Sequence, residues 1–135
     1  LLDLLQANRV DYANFFRALG DFQQGAGEHN DALRDFFLDR VAFDAWAGRY
    51  RERLLAEGSR DGERRARMDR VNPKYVLRNY LAQTAIEQAA KQRDYSEITR
   101  LLELLRDPFT EVSGRESYAA PPPEGGKRLV VSCSS

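Results

Sequence analysis

The chain has one cysteine, one histidine and no long apolar run, and these absences exclude several classes of protein. A single cysteine cannot form an internal disulfide framework. One histidine without a cysteine cluster argues against a zinc site. No stretch approaches the roughly 20 apolar residues that a membrane-spanning helix needs. We therefore expect neither a metal centre in this chain nor a membrane partner.

Neither sign of charge is in excess, because 21 Lys and Arg residues balance 21 Asp and Glu residues. No overall field therefore attracts nucleic acid or anionic lipid. The most basic stretch, 60–70, has five arginines against three acidic residues. A nucleic-acid surface would need a larger excess and exposed aromatic rings. We interpret this stretch as a solvated helix with i, i+4 ion pairs such as Glu63–Arg67, and expect no nucleic-acid partner.

Apolar residues recur at helical spacing through most of the first 109 residues. This pattern predicts an all-α fold, a helical bundle of about five or six helices. Asp11 and Asp39 are placed to cap two of them. After Asp39 an apolar stripe contains Trp46, which we interpret as a packing residue of the core rather than part of a cofactor site.

The stretch that begins at Asn72 has the strongest helix signals in the chain. Asn72 is a good N-cap and Pro73 fits the first helical position, which predicts a helix from Pro73 to about Lys91. Asp94 then caps the next helix after a tight connection, with Glu97 able to complete a capping box. The two helices should form an antiparallel hairpin. The apolar stripe of the second helix is predicted to be Ile98, Leu101, Leu102 and Leu105.

From Thr110 onward the composition changes. The dipeptide Ser113–Gly114, three consecutive prolines at 121–123 and the pair Gly125–Gly126 predict an extended Pro/Gly-rich tail. A short β-prone run, Leu129–Val131, suggests that the tail docks onto something. We divide the chain into a helical domain, 1–109, and a tail, 110–135.

The residues alone identify no catalytic, cofactor-binding or metal-binding site, because no phosphate-binding loop, nucleophile–histidine–acid set or paired carboxylates in a recognisable frame is present. His29 lies in a loop without partner residues. Cys133 is the one chemically distinctive residue, but the nearest cation on its side of an extended strand, Lys127, would lie roughly 20 Å away. On chemistry alone, Cys133 is either an incidental surface thiol or a redox residue.

The first residues already follow a helical pattern without a capping residue, and no basic segment with a cleavage site precedes them. We therefore expect the chain to be a piece of a longer protein.

Two strings, Val71–Gln83 and Gly126–Ser135, closely resemble signatures of the selenoprotein O family. The weaker stretch Asp107–Phe109, and Trp46 with its neighbours Tyr50, Arg51 and Leu54, agree in order and spacing. The resemblance implies a protein-kinase-like parent that transfers AMP from ATP to Ser, Thr or Tyr hydroxyls of proteins, using Mg²⁺ or Mn²⁺. The nucleotide and metal residues of the family lie upstream, so this chain would be the inactive C-terminal part of that larger kinase-like fold.

One residue of the family pattern maps onto this chain. Cys133 is third from the end, where some members have selenocysteine and bacterial members have cysteine. The resemblance implies a regulatory disulfide between Cys133 and a cysteine of the upstream kinase-like domain, in a bacterial, cytoplasmic protein. The alternative is a stand-alone helical interaction module without enzymatic activity, whose terminal strand adds to a partner's sheet edge.

Overall fold

The computed structural model describes residues 1–25 and 30–123. Across these ranges the fold is all-helical, as predicted, although it has seven α-helices where about five or six were expected. No strand and no helix capable of crossing a membrane occurs in them. The β-prone run, and the part of the predicted tail from residue 124 onward, lie outside the described residues. The α-helices are α1 Leu2–Ala7, α2 Tyr12–Ala18, α3 Asp31–Arg34, α4 Arg40–Ala56, α5 Asp61–Asp69, α6 Asn79–Gln92 and α7 Ser96–Arg106, with 3₁₀ helices at Leu19–Asp21 and Glu116–Ala119.

The helices form two compact units, which divide between Asn72 and Pro73. The boundary proposed from the sequence, between a helical domain 1–109 and a tail 110–135, stays a prediction.

An aromatic core holds the first unit together. The ring of Phe15 is fully buried and meets Phe36, Phe37 and Trp46 edge-on, with centroid separations of 5.9, 5.4 and 6.1 Å. Each such pair adds about 0.5–1.5 kcal/mol beyond the area it buries. Trp46 also stacks on Tyr50 at 5.0 Å, which confirms its predicted role in packing.

The two predicted caps of this unit are confirmed. The Asp11 carboxylate accepts the backbone N–H of Asn14 at 3.0 Å at the start of α2. The Asp39 carboxylate accepts the N–H of Ala42 at 2.9 Å at the start of α4. Each bond satisfies one of the N–H groups that a helix start leaves without an intrahelical partner.

Helix α5 differs from the solvated helix that was predicted, because Arg64 is buried, with 4% of its surface exposed. Its guanidinium donates to the backbone carbonyl of Phe22, lies over the Phe22 ring and pairs with Asp61 at 2.8 Å. The helical period turns this one arginine towards the aromatic core, where its partners compensate the cost of burying the charge.

The outer face of α5 is solvated as predicted, but the predicted ion pair is different. Glu63 pairs with Arg60 at 3.2 Å, whereas the sequence suggested Arg67. Both members of the observed pair are more than half exposed, so it contributes little stability.

In the second unit, the long helix begins six residues later than predicted. Helix α6 starts at Asn79, and Arg78 before it is extended, with φ −93° and ψ 145°. The prediction of a helix from Pro73, capped by Asn72, is therefore wrong. The backbone N–H groups of Lys74 and Tyr75 bind the chain that follows α7 instead.

Helices α6 and α7 form the predicted hairpin, with Leu81, Ala85 and Leu101 in its core. Three residues connect the helices, and the first of them, Arg93, takes the left-handed conformation, with φ 54°. A short connection of this kind joins antiparallel helices.

The predicted capping box at the start of α7 is wrong. The Asp94 carboxylate does accept an N–H, from Ser96 at 2.9 Å, and this bond lowers the pKa of Asp94. Glu97, however, does not reach back to the cap, because it is 92% buried on the inner side of α7. The inner face of α7 is accordingly Glu97, Leu101 and Leu104, and of the predicted stripe only Leu101 is buried.

We expect Arg64→Met to lower the free energy of unfolding of the 135-residue chain by about 2 kcal/mol, because it leaves the Phe22 carbonyl without its donor and the Asp61 carboxylate without its cation. The matched variant Arg60→Met removes only an exposed ion pair and should cost about 0.5 kcal/mol or less. Urea titration followed by circular dichroism measures both. Equal effects of the two variants would contradict the role given to Arg64.

Candidate functional site

Neither of the two residues considered for chemistry in the sequence lies in the described part of the chain. Cys133 and His29 are both outside it, so the redox assignment of Cys133 stays a prediction. Residues 1–25 and 30–123 contain no group of three or more His, Cys, Asp or Glu side chains that could hold a metal ion. The candidate site is therefore the place where the string Val71–Gln83, called the signature string from here on, meets residues 108–120, the segment that leads towards Cys133.

Two backbone donors of the signature string bind one carbonyl. The N–H groups of Lys74 and Tyr75 donate to the carbonyl oxygen of Pro108, at 2.7 and 3.1 Å. The bonds hold residues 74 and 75 against the chain that follows α7. Both N–H groups would also lack an intrahelical partner in a helix that began at Pro73, so the late start of α6 goes with the whole set of contacts to this segment rather than with these two bonds alone.

Tyr75 binds the same segment with its side chain. The ring is 3% exposed and packs with Leu104 and Ala119. The phenolic oxygen accepts the N–H of Val112 at 3.0 Å and donates to the Val112 carbonyl at 3.4 Å. Both backbone groups of one residue are thus satisfied by one side chain, which fixes the register of the segment.

Two further side chains of the string hold the end of the segment. The guanidinium of Arg78 donates to the carbonyl of Ala119 at 3.4 Å, and the Tyr80 hydroxyl donates to the carbonyl of Ala120 at 3.0 Å. Near the beginning of the segment, Lys74 pairs with Glu111 at 3.3 Å. Four positions of the string therefore contact the segment, and they do so from one end of it to the other.

Glu97 supplies the contact from α7. Its carboxylate accepts the Tyr118 hydroxyl at 3.1 Å and the Arg100 guanidinium at 3.1 Å. Burial, and then the hydrogen bond and charge of Glu97, raise the pKa of Tyr118. The Tyr118 hydroxyl therefore keeps its proton at neutral pH and donates it to the carboxylate.

We call this set of contacts the segment anchor. It consists of Lys74, Tyr75, Arg78, Tyr80 and Glu97, which bind residues 108–120. An open cavity of about 300 Å³ lies at its edge, lined by Lys74, Tyr75, Glu111, Val112, Ser113 and Glu116. Chemically, the anchor binds backbone carbonyls and one tyrosine, and it offers no nucleophile or general base aimed at a substrate.

A protein-family model described as Protein adenylyltransferase SelO matches residues 1–106 of the chain. The chain belongs to the SelO family. This confirms the resemblance to selenoprotein O that rests on the signature string and the terminal string.

Three relatives named Protein nucleotidyltransferase YdiU extend the similarity beyond residue 106. The protein from Myxococcus xanthus is 58% identical over 126 residues, 93% of this chain and 26% of the relative. The proteins from Thiobacillus denitrificans and Pseudomonas fluorescens Pf0-1 are 56% and 54% identical, over 99% and 100% of this chain and 28% and 27% of the relatives. This SelO-family chain therefore spans about a quarter of the length of the curated relatives that it matches.

The sequence analysis missed the roles of Glu97 and Tyr118. A usable signal was present, since Tyr118 is the one aromatic residue in the polar stretch 110–120. A buried tyrosine hydroxyl needs a partner, and a glutamate in line with two leucines, Leu101 and Leu104, on one face of a helix is a natural acceptor. The distance of twenty-one residues between them hid the pair from local patterns.

We expect Tyr75→Phe to open residues 111–113 while leaving the hairpin folded, because the ring stays packed and only the two bonds to Val112 are lost. A loss of about 1.4 kcal/mol corresponds to a tenfold faster exchange of the Val112 amide. Hydrogen–deuterium exchange with peptide-level mass spectrometry measures it. Tyr95→Phe, at a 61% exposed tyrosine, is the control and should leave exchange at Val112 unchanged.

Proposed function

We propose that this chain is the C-terminal helical part of a protein adenylyltransferase, an enzyme that transfers AMP from ATP to Ser, Thr or Tyr hydroxyls of proteins. The proposal rests on membership of the SelO family, and it is supported by the name of the relatives, protein nucleotidyltransferase. The length of those relatives also favours part of a larger enzyme over a stand-alone interaction module.

The chemistry is assigned to the remainder of the full-length protein, which we propose to be a kinase-like domain acting in the cytoplasm. ATP with Mg²⁺ or Mn²⁺ would supply the adenylyl group and the metal charge that stabilises the leaving pyrophosphate. The described residues do not form a site for ATP and its metal ion, since they contain neither a metal-binding cluster nor a glycine-rich phosphate loop. We therefore derive no catalytic step for this chain and expect the fragment alone to be inactive.

The proposed task of the chain is to position the tail that carries Cys133. The segment anchor ends at Ala120, thirteen residues before Cys133. Thirteen residues span at most about 45 Å when fully extended. Holding Ala120 therefore restricts the thiol to a limited volume around the anchor, which raises its effective concentration near a cysteine of the kinase-like domain.

In the oxidised enzyme, Cys133 is proposed to form a disulfide with that upstream cysteine. The two thiols lose two protons and two electrons, and a small-molecule disulfide such as oxidised glutathione is reduced to two thiols in exchange. A cytoplasmic disulfide of this kind is reversible and regulatory rather than structural.

The full-length protein should transfer label to a protein acceptor from ATP labelled at the α-phosphate and not from ATP labelled at the γ-phosphate. Scintillation counting of the acceptor after electrophoresis measures the transfer, which should stop when a chelator removes the divalent metal. The 135-residue chain is the matched control and should transfer no label. Transfer of the γ-label, or of neither label under reducing and oxidising conditions alike, would refute the proposed activity.

Oxidation of the full-length protein should link the peptide that contains Cys133 to a peptide from the upstream region. Mass spectrometry of a non-reduced digest detects the linked pair. Cys133→Ser should abolish it, whereas Ser134→Ala, a neighbouring change of similar size, should keep it. Recovery of Cys133 only as a free thiol after oxidation would exclude the disulfide and leave the transferase activity to be judged by the labelling experiment.

A further inference from the structure

Helix α7 carries two apolar stripes, and the described structure covers only one of them. The covered stripe contains Leu101 and Leu104. The second consists of Ile98, Leu102 and Leu105, which directly follow the inner residues Glu97, Leu101 and Leu104 in the sequence. Ile98 is 37% exposed and Leu102 is 53% exposed, and Leu105 completes the stripe at the same spacing.

Helix α6 repeats this arrangement. Its inner residues are Leu81 and Ala85, and the residues that directly follow them are Ala82 and Ile86. Ile86 is 50% exposed. Ala89 continues the row with the same helical spacing, so that a bulky side chain lies between two small ones.

These second stripes are exposed at Ile86, Ile98 and Leu102 and half-buried at their other positions. They lie on the same side of the hairpin. In each helix the stripe is rotated about 100° from the inner face, in the same sense about its own axis. Because the two helices run in opposite directions side by side, equal rotations bring both stripes to one side. The hairpin therefore presents a two-helix apolar face, which we define as Ala82, Ile86, Ala89, Ile98, Leu102 and Leu105.

Polar groups border this face on α6. Gln83 donates to Glu87 at 2.8 Å, and Lys91 donates to the same carboxylate at 3.1 Å. These three side chains form one hydrogen-bonded row along the next strip of the helix surface. An apolar centre with a polar border is the composition of a protein interface, and contiguous exposed apolar side chains mark interaction sites on soluble proteins.

We propose that this two-helix apolar face is the docking surface for the remainder of the full-length enzyme, an inference that rests on the proposed function. The relatives extend over about four times the length of this chain. A polypeptide of that size has ample surface to cover the face, and the covering makes the hairpin a structural support of the catalytic part. The small residues Ala82 and Ala89 on either side of Ile86 allow a partner helix to approach closely.

Thiol labelling in the full-length protein tests the face directly. Leu102→Cys places a thiol in the face, and Glu103→Cys places one on the solvent side of α7, away from both stripes. We expect Leu102→Cys to react with a maleimide at least about tenfold more slowly than Glu103→Cys, because labelling of a covered thiol requires local opening. Peptide-level mass spectrometry separates these thiols from every other cysteine, and rates in urea correct for intrinsic reactivity.

Equal labelling rates in the native protein would overturn the proposal. Protection that disappears on dilution, together with twice the monomer mass in light scattering, would also overturn it in favour of a second copy of the chain. AMP transfer is measured separately on the unsubstituted protein. Protection without transfer supports the docking surface and rejects the proposed function, whereas transfer with equal labelling rejects the docking surface alone.

Discussion

The segment anchor of the second unit is built around one attachment, the pair of hydrogen bonds that the Pro108 carbonyl accepts from the consecutive N–H groups of Lys74 and Tyr75. These bonds join the signature string to the chain after α7, and Arg78, the residue before α6, is extended. Tyr75, Arg78 and Tyr80 can then reach backbone groups of residues 112–120. A helix starting at Pro73 would present the same side chains in another direction.

Local patterns predicted those parts of the fold that local interactions determine. The caps formed by Asp11 and Asp39 each bind an N–H group three residues away, and the packing role of Trp46 follows from an apolar stripe within one helix. The α6–α7 hairpin followed from a short connection. The family was predicted from two strings, Val71–Gln83 and Gly126–Ser135, which closely resemble signatures of that family.

Contacts between distant residues produced the differences. The residues before α6 contact a segment more than thirty residues away from them, and neither Asn72 nor Pro73 indicates those contacts. The inner face of α7 is one position out of the predicted register, because Glu97 finds Tyr118 and Arg100 as partners and can be buried. Spacing rules assign a glutamate to solvent unless its partners are known. The segment anchor was invisible for the same reason, since each of its bonds joins residues far apart in the chain.

The long sequence separation within the segment anchor has a consequence for how this unit folds. The bonds of Tyr75, Arg78 and Tyr80 to the segment close loops of 37, 41 and 40 residues. Closing such loops costs more entropy than pairing α6 with α7, whose contacts are local. The hairpin should therefore form first and serve as a template onto which residues 108–120 attach afterwards. When the unit unfolds, the order is reversed and residues 108–120 should be the first part to detach. The segment that leads to Cys133 is therefore held less persistently than the hairpin to which it is attached.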